Sequence, residues 1–354
     1  MARLRLFFLL SLGLLLLAGC LGVEVVSTPV PLAAAPPADS VLASTPTSAL
    51  AGEPALTPMT PSTTSTPASE QAPSTPASEQ ASTTPVSTGP PTSPVTPSNT
   101  PAPTPCAEPG RIEFGNVDSA IAGEPMRYRV YLPPCYGRDG RVYPTLYMFG
   151  GNIHDEAIWD TLGLDEAAEA AIAGGDIPPL LIVMPDNGWL ANTTTSGPTS
   201  YEGFVLDELI PYIEATYCAW PSAAGRAVGG ISRGGYWSLM MAFRRPDLFG
   251  SVGSHSPALI DSHAGPAEDP AITGATNNLG HLRIWIDIGE RDPYLVEARP
   301  LHEALAAAGV PHEWHVNAGT HDEAYWRANL DSYLVWYSDG WRGDGAELPD
   351  CKQP

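Results

Sequence analysis

Two apolar periods run through the last two-thirds of the chain, one of two residues and one of three to four. Met126 to Leu132 alternates apolar and polar side chains, the pattern of a half-buried strand. Thr145-Leu-Tyr-Met-Phe149, ending in Gly150-Gly151, and Leu180-Leu-Ile-Val-Met184 are short unbroken apolar runs, which predict buried strands. Arg226–Ile231, Leu282–Ile288 and His312–Val316 read as further strands, with another around Ser251–His255. Between and after them, Phe204–Tyr217, Arg233–Arg245, Glu297–Ala308 and Glu323–Trp336 carry helical spacing. Strands alternating with helices predict an α/β fold with a mostly parallel central sheet covered on both faces. Ligands then belong at the carboxyl ends of the strands.

Upstream of Cys106 these periods vanish. Arg3 and Arg5 precede an almost unbroken apolar run from Leu6 to Leu17, too short for a comfortable membrane span, which reads as a signal peptide. It ends in Leu17-Ala18-Gly19-Cys20, which resembles a bacterial lipobox and implies cleavage before Cys20 and lipidation of its thiol. From about Ser27 to Pro105 the chain is Pro, Thr, Ser and Ala, with Ser65-Thr-Pro-Ala-Ser-Glu-Gln71 repeated from Ser74 to Gln80. Such a segment has too little apolar surface to offset its ordering entropy and is expected to be an extended stalk. The expected organisation is a signal peptide over residues 1–20, a stalk over 21–105 and a folded domain over 106–354. That domain would sit outside the cytoplasm, lipid-anchored to the cell membrane.

Charge and cysteine content narrow the partners. The formal net charge of -22 argues against nucleic acid or an anionic lipid surface as a partner, so a role at the membrane rests on the anchor. With Cys20 set aside for lipid, Cys106, Cys135, Cys218 and Cys351 remain for an oxidising compartment. Four cysteines allow two disulfides in three connectivities, and none sits in a C-x-x-C spacing that would suggest zinc or redox work.

The chemistry gathers around Gly230-Ile231-Ser232-Arg233-Gly234, a G-x-S-x-G between a predicted strand and a predicted helix. A sharp turn there lifts a hydroxyl above the sheet, and small neighbours keep that turn free of clashes. A serine needs a base. Of the eight histidines, His321 lies in Gly319-Thr320-His321-Asp322, between the last strand and the last helix, where this architecture keeps its base. His255 could line the site, His312 and His315 face opposite sides of one strand, and His154, His263 and His281 show no partner pattern. The acid should follow the strand before the last. Asp287 lies within that strand and Glu290 early in its turn, so Asp292 fits best, with Glu290 as the alternative. Oxyanion donors are expected from the backbone N–H of Arg233 and from the loop after Phe149, with Gly151 ahead of Asn152. Among the aromatics, Trp189 follows a strand and is the candidate for a substrate pocket, while Trp326 is expected to pack.

Six segments then occur in a telling order: Tyr143-Pro-Thr-Leu-Tyr-Met-Phe-Gly-Gly, Met184-Pro-Asp-Asn-Gly, Asp207-Glu-Leu-Ile-Pro-Tyr-Ile, Arg226-Ala-Val-Gly-Gly-Ile-Ser-Arg-Gly-Gly, Arg245-Pro-Asp-Leu-Phe-Gly and Gly319-Thr-His-Asp-Glu-Ala-Tyr-Trp. Together they resemble the esterase family of α/β-hydrolases that includes esterase D, feruloyl esterases, enterochelin esterases and the mycolyltransferase antigens. The resemblance runs from about Gly110 to Trp341. It implies a Ser-Asp/Glu-His triad at Ser232, Asp292 and His321, with no metal or cofactor. One departure is Phe149-Gly150, where the family usually has His-Gly, and it bears on the oxyanion loop. The expected function is extracytoplasmic hydrolysis of a carboxylic ester, small-molecule, polysaccharide or lipid, through an acyl-enzyme. Acyl transfer to an envelope acceptor and ester-free binding by a disabled domain are the rivals.

Overall fold

A computed structural model describes residues 106–259, 265–342 and 349–351. The signal peptide, Cys20, the stalk and His263 lie outside the described residues. The chain enters as a hairpin, β1 (Arg111–Ser119) and β2 (Glu124–Leu132), and continues through β3 (Thr145–Phe149). After β3 come helices α1 (Ile158–Leu162) and α2 (Leu164–Gly174), strand β4 (Leu181–Pro185) and helix α3 (Gly188–Thr193). Helix α4 (Tyr201–Gly203) passes through a π-helical stretch, Phe204–Leu209, into α5 (Ile210–Thr216). Strand β5 (Arg226–Ile231) leads to α6 (Arg233–Arg244), then β6 (Ser251–His255), α7 (Pro270–Thr276) and β7 (Arg283–Gly289). The chain finishes with α8 (Leu295–Ala307), β8 (Glu313–Asn317), α9 (Glu323–Ala328) and α10 (Leu330–Asp339).

The strands form one sheet in the order β1-β2-β4-β3-β5-β6-β7-β8, parallel from β4 to β8, with β2 antiparallel to both of its neighbours. This is the α/β-hydrolase arrangement. Alternate strand residues feed two cores. Tyr147, Phe149, Val183 and Val228 pack with residues of α3 to α6 and α8. Leu146, Met148, Ile182 and Ala227 pack with residues of α1, α2, α9 and α10 on the other face. The order reverses at β3, since β4 lies on one side of it and β5 on the other. A crevice opens at such a point beyond the strand carboxyl ends.

The periodicity finds the parallel strands within a residue or two and misses what is short or exposed. β1 pairs only with β2, and its residues through Asn116 are at most half-buried, so the alternation is weak. Two expected helices are not uniform α-helices. Phe204–Tyr217 is helical through Thr216, but its first six residues form a wider π turn, and Pro211, which has no N–H for the ladder, sits in the first turn of α5 that follows. Glu323–Trp336 divides at Asn329, whose Nδ2 donates to the Tyr325 carbonyl at 2.8 Å and competes with the backbone.

Two covalent and one polar device hold the layers. Cys106 is bonded to Cys135 and Cys218 to Cys351, which selects one of the three connectivities. The second bond ties the 349–351 segment to the amino-terminal end of the sheet, where Val142 N–H also meets the Pro349 carbonyl at 3.0 Å. Between β6, β7 and the last two helices sits a fully buried carboxylate, Asp287. It accepts from His255 Nδ1 (2.6 Å), Trp285 Nε1 (2.9 Å), Tyr325 Oη (2.7 Å) and Tyr333 Oη (2.8 Å). Tyr337 completes the cluster 3.1 Å from His255 Nε2, and its hydroxyl occupies the space a side chain at Gly229 would need. Burial works to raise the Asp287 carboxyl, but the neighbouring His255 and the tyrosine donors outweigh it and hold it below the ordinary value.

Two outcomes are expected. Replacing Cys218 and Cys351 together by serine should cost about 2–5 kcal/mol in urea unfolding. Turnover by the folded fraction should be unchanged, because the bond lies at the far end of the sheet from Ser232. Asp287→Asn should cost about 3 kcal/mol at pH 7. A depressed carboxyl stabilises fully above the unfolded value near pH 4, and that stability is lost as pH falls through the folded value. The gap between parent and variant should therefore narrow in urea midpoints measured from pH 5 down to pH 3.

Candidate active site

Ser232 stands between the end of β5 and the start of α6 with φ 56° and ψ -122°, a conformation that L-residues avoid. Three backbone hydrogen bonds hold it there. Ser232 N–H donates to the His255 carbonyl (3.0 Å), and the Ser232 carbonyl accepts from Tyr236 (3.2 Å) and Ala258 (3.0 Å). The turn is tight enough to dictate its neighbours. A Cβ at Gly230 would lie 2.5 Å from the Gly234 carbonyl carbon, and one at Gly234 would lie 2.5 Å from the Gly150 carbonyl oxygen. Glycine at both positions lets β5, α6 and the β3 loop meet.

His321, from the loop after β8, brings Nε2 to 2.9 Å from Ser232 Oγ. Its Nδ1 is 2.8 Å from Asp292 Oδ2, in the turn after β7. A carboxylate can only accept, so Nδ1 carries the proton and Nε2 is left to accept from the serine hydroxyl. Asp292 is fixed in turn by the Tyr294 N–H, 2.9 Å from its other oxygen, and its side chain is fully buried. The imidazole itself lies between the rings of Tyr294 and Trp326, at centroid distances of 4.7 and 5.2 Å. Trp326 is thus a packing residue, as expected, but what it packs against is His321.

The other two carboxylates go elsewhere. Glu290 stands exposed beside Arg291, and Asp287 belongs to His255. His255 is itself fully buried and presents only its backbone carbonyl to Ser232, so it does not line the site. His312 meets His302 at 2.8 Å, whereas His315 stacks on Trp285.

The loop after β3 closes the opposite wall. A Cβ on Gly151 would lie 3.1 Å from that of Ser232, so this backbone is as close to the serine as a glycine permits. Its N–H donates to His154 Nδ1 at 3.1 Å, an acceptor the periodicity of the chain does not signal. Burial holds His154 below the ordinary imidazole value and favours the neutral ring, and the Gly151 N–H selects the tautomer whose Nδ1 accepts. Arg233 is the first residue of α6, where the helix offers no acceptor to a backbone N–H. Its side chain is buried over Tyr236 and Trp237 and donates to the carbonyls of Ala191 (3.3 Å) and Thr194 (3.2 Å). It therefore clamps the end of α3 to the helix that follows Ser232. Phe149, at the position where histidine was expected, is fully buried with its ring against Tyr201.

Trp189, on α3, is half exposed and donates Nε1 to Glu124 at 2.8 Å. With Asn152, Ile153, His154 and Asn192 it lines an open cleft of about 480 Å³ beside the loop. Among the described residues no group of three His, Cys, Asp or Glu side chains is arranged to hold a metal ion.

Known proteins share this frame. The family model described as "Putative esterase" matches residues 119–337. Esterase Rv1288 of Mycobacterium tuberculosis is 30% identical in an alignment 283 positions long that covers 66% of this chain and 60% of that protein. An endo-1,4-beta-xylanase/feruloyl esterase of Xylanibacter ruminicola is 29% identical over 62% of this chain, and the match spans 31% of that protein. Both relatives are longer than the shared region, which is less than two thirds of either. A solved ferulic acid esterase superposes with a TM-score of 0.60 at 21% identity, over 67% of this chain and all of the other, and shows the same fold. Over residues 119–337, this chain belongs to the esterase family of α/β-hydrolases.

Proposed function

We propose that the chain hydrolyses carboxylic esters through a covalent acyl-enzyme on Ser232. The observation that carries this reading is the continuous relay from Ser232 Oγ through His321 to Asp292, seated where the sheet order reverses. His321 Nε2 takes the hydroxyl proton as Oγ attacks the ester carbonyl, and Asp292 stabilises the imidazolium that forms. The imidazolium then gives that proton to the departing alkoxide. Water, deprotonated by the same nitrogen, attacks the acyl group, and the proton returns to Ser232 as the acid leaves.

The oxyanion of each tetrahedral intermediate is assigned to the N–H groups of Arg233 and Gly151. Gly151 must exchange its bond to His154 for one to a charged oxygen, a change that favours the oxyanion because charge-assisted bonds are the stronger ones. Trp189 and the cleft beside it take one part of the ester. The relatives named as feruloyl esterases support an ester whose acid or alcohol carries a ring. Lipidation at Cys20 and a stalk to residue 105 would hold this domain outside the cytoplasm, and the two disulfides of the domain support an oxidising compartment.

Nitrophenyl esters and a fluorophosphonate probe test the reading. The parent chain should turn over and label, and Ser232→Ala should lose labelling and about 10⁴-fold or more in kcat. A parent that neither labels nor turns over sinks the proposal. Asp292→Asn should lower kcat on the order of 10⁴-fold through the wrong imidazole tautomer. Glu290→Gln, on an exposed carboxylate, should stay within about twofold.

A further inference from the structure

The loop that would receive the oxyanion has no regular structure, yet its peptide planes are fixed from one side. Asn187, two residues past the end of β4, is 1% exposed. Its Nδ2 donates to the carbonyls of Gly150 (2.5 Å) and Gly151 (3.3 Å). Five residues on, Asn192 Nδ2 donates to the next carbonyl, Asn152, at 2.9 Å. Three consecutive carbonyls are therefore turned toward the β4–α3 segment. A trans peptide is planar, so each N–H points opposite to the carbonyl of its own unit. Holding the Gly150 carbonyl directs the Gly151 N–H, and holding the Gly151 carbonyl directs the Asn152 N–H.

Asn187 is held as firmly as it holds. Its Oδ1 accepts from the Tyr201 hydroxyl at 2.8 Å, and the Tyr201 ring is wholly buried among Phe149, Phe204 and Trp237. Burial first, and then Asp186, push the Tyr201 hydroxyl well above its ordinary value, so it remains a donor at any working pH. Two donors on one atom and an acceptor on the next are what a primary amide supplies. Aspartate at 187 would turn a carboxylate toward two carbonyl oxygens.

We propose that Asn187, seated by Tyr201, is the positioning residue that aims the Gly151 amide at the oxyanion. This rests on the esterase reading above. Asn187 touches no reacting atom and acts through the loop backbone, so its effect belongs to the transition state and not to substrate binding.

The test measures kcat and KM for a nitrophenyl ester on the parent, Asn187→Asp, Asn187→Ala and Tyr201→Phe, together with inhibition by a trifluoromethyl ketone and thermal unfolding. The ketone forms an oxyanion adduct on the serine. Asn187→Asp should lose about 100-fold in kcat with KM within about twofold, and ketone affinity should fall by a similar factor. Tyr201→Phe removes one hydroxyl and keeps the ring, so it should fold and lose about 3- to 10-fold in the same two quantities. Unchanged kcat and ketone affinity in the folded variants would overturn the assignment, as would a loss that appears in KM alone or matches the unfolded fraction. A parent without serine-dependent turnover would instead overturn the esterase reading itself, and this assignment with it.

Discussion

The close approach of three backbones at Ser232 is the constraint on which the rest of the site depends. The end of β5, the first turn of α6 and the loop after β3 meet at distances that exclude side chains at Gly230 and Gly234. The left-handed φ of Ser232 costs of order 1–3 kcal/mol and survives only because the surrounding hydrogen bonds over-determine it. That strain lifts Oγ to the level of the β7 and β8 loops, where His321 and Asp292 can reach it. It also brings Gly151 against the serine, so the expected donor loop and the expected nucleophile are placed by one turn.

Among the described residues, two of the histidine–carboxylate pairs adjoin the Ser232 turn, and their surroundings set them apart. His255 and Asp287 are wholly enclosed, with Tyr325 and Tyr333 donating to the carboxylate and Tyr337 against the far ring nitrogen. His321 keeps 19% of its side chain exposed and one nitrogen facing a hydroxyl, beside a fully buried Asp292. The first pair locks β6 to β7 behind the turn and supplies the His255 carbonyl that receives the Ser232 amide. The second is free to move a proton. The same two residue types thus serve packing in one place and chemistry in the other.

Much of this was legible in the chain itself. Apolar runs located β3 and β4 because burial on both faces leaves few polar positions to blur them. Chain order then led to Ser232, Asp292 and His321, three side chains that the structure brings into contact. What stayed hidden depends on residues distant in sequence. His154 has no patterned partner, because its partner is a backbone amide three residues away in an irregular loop. Asn187 stood in the quoted segment Met184-Pro-Asp-Asn-Gly, but its role is visible only once β3 and β4 are neighbours. The pairing of Asp287 with His255 required knowing that β6 lies beside β7. The division at Asn329 was written in residue type and was outweighed by the surrounding helical period.

The Cys106–Cys135 bond encloses β1 and β2 in a covalent ring, with the two cysteines 5.9 Å apart. A pull applied to the chain ahead of Cys106 therefore travels through sulfur to Cys135 and bypasses the hairpin. The outer strands of the sheet carry no load, and unzipping cannot start from that edge while the bond is intact. The Cys218–Cys351 bond bypasses β5 to β8 in the same way, so a pull between the two outer cysteines loads only the chain from Cys135 to Cys218, which carries β3 and β4.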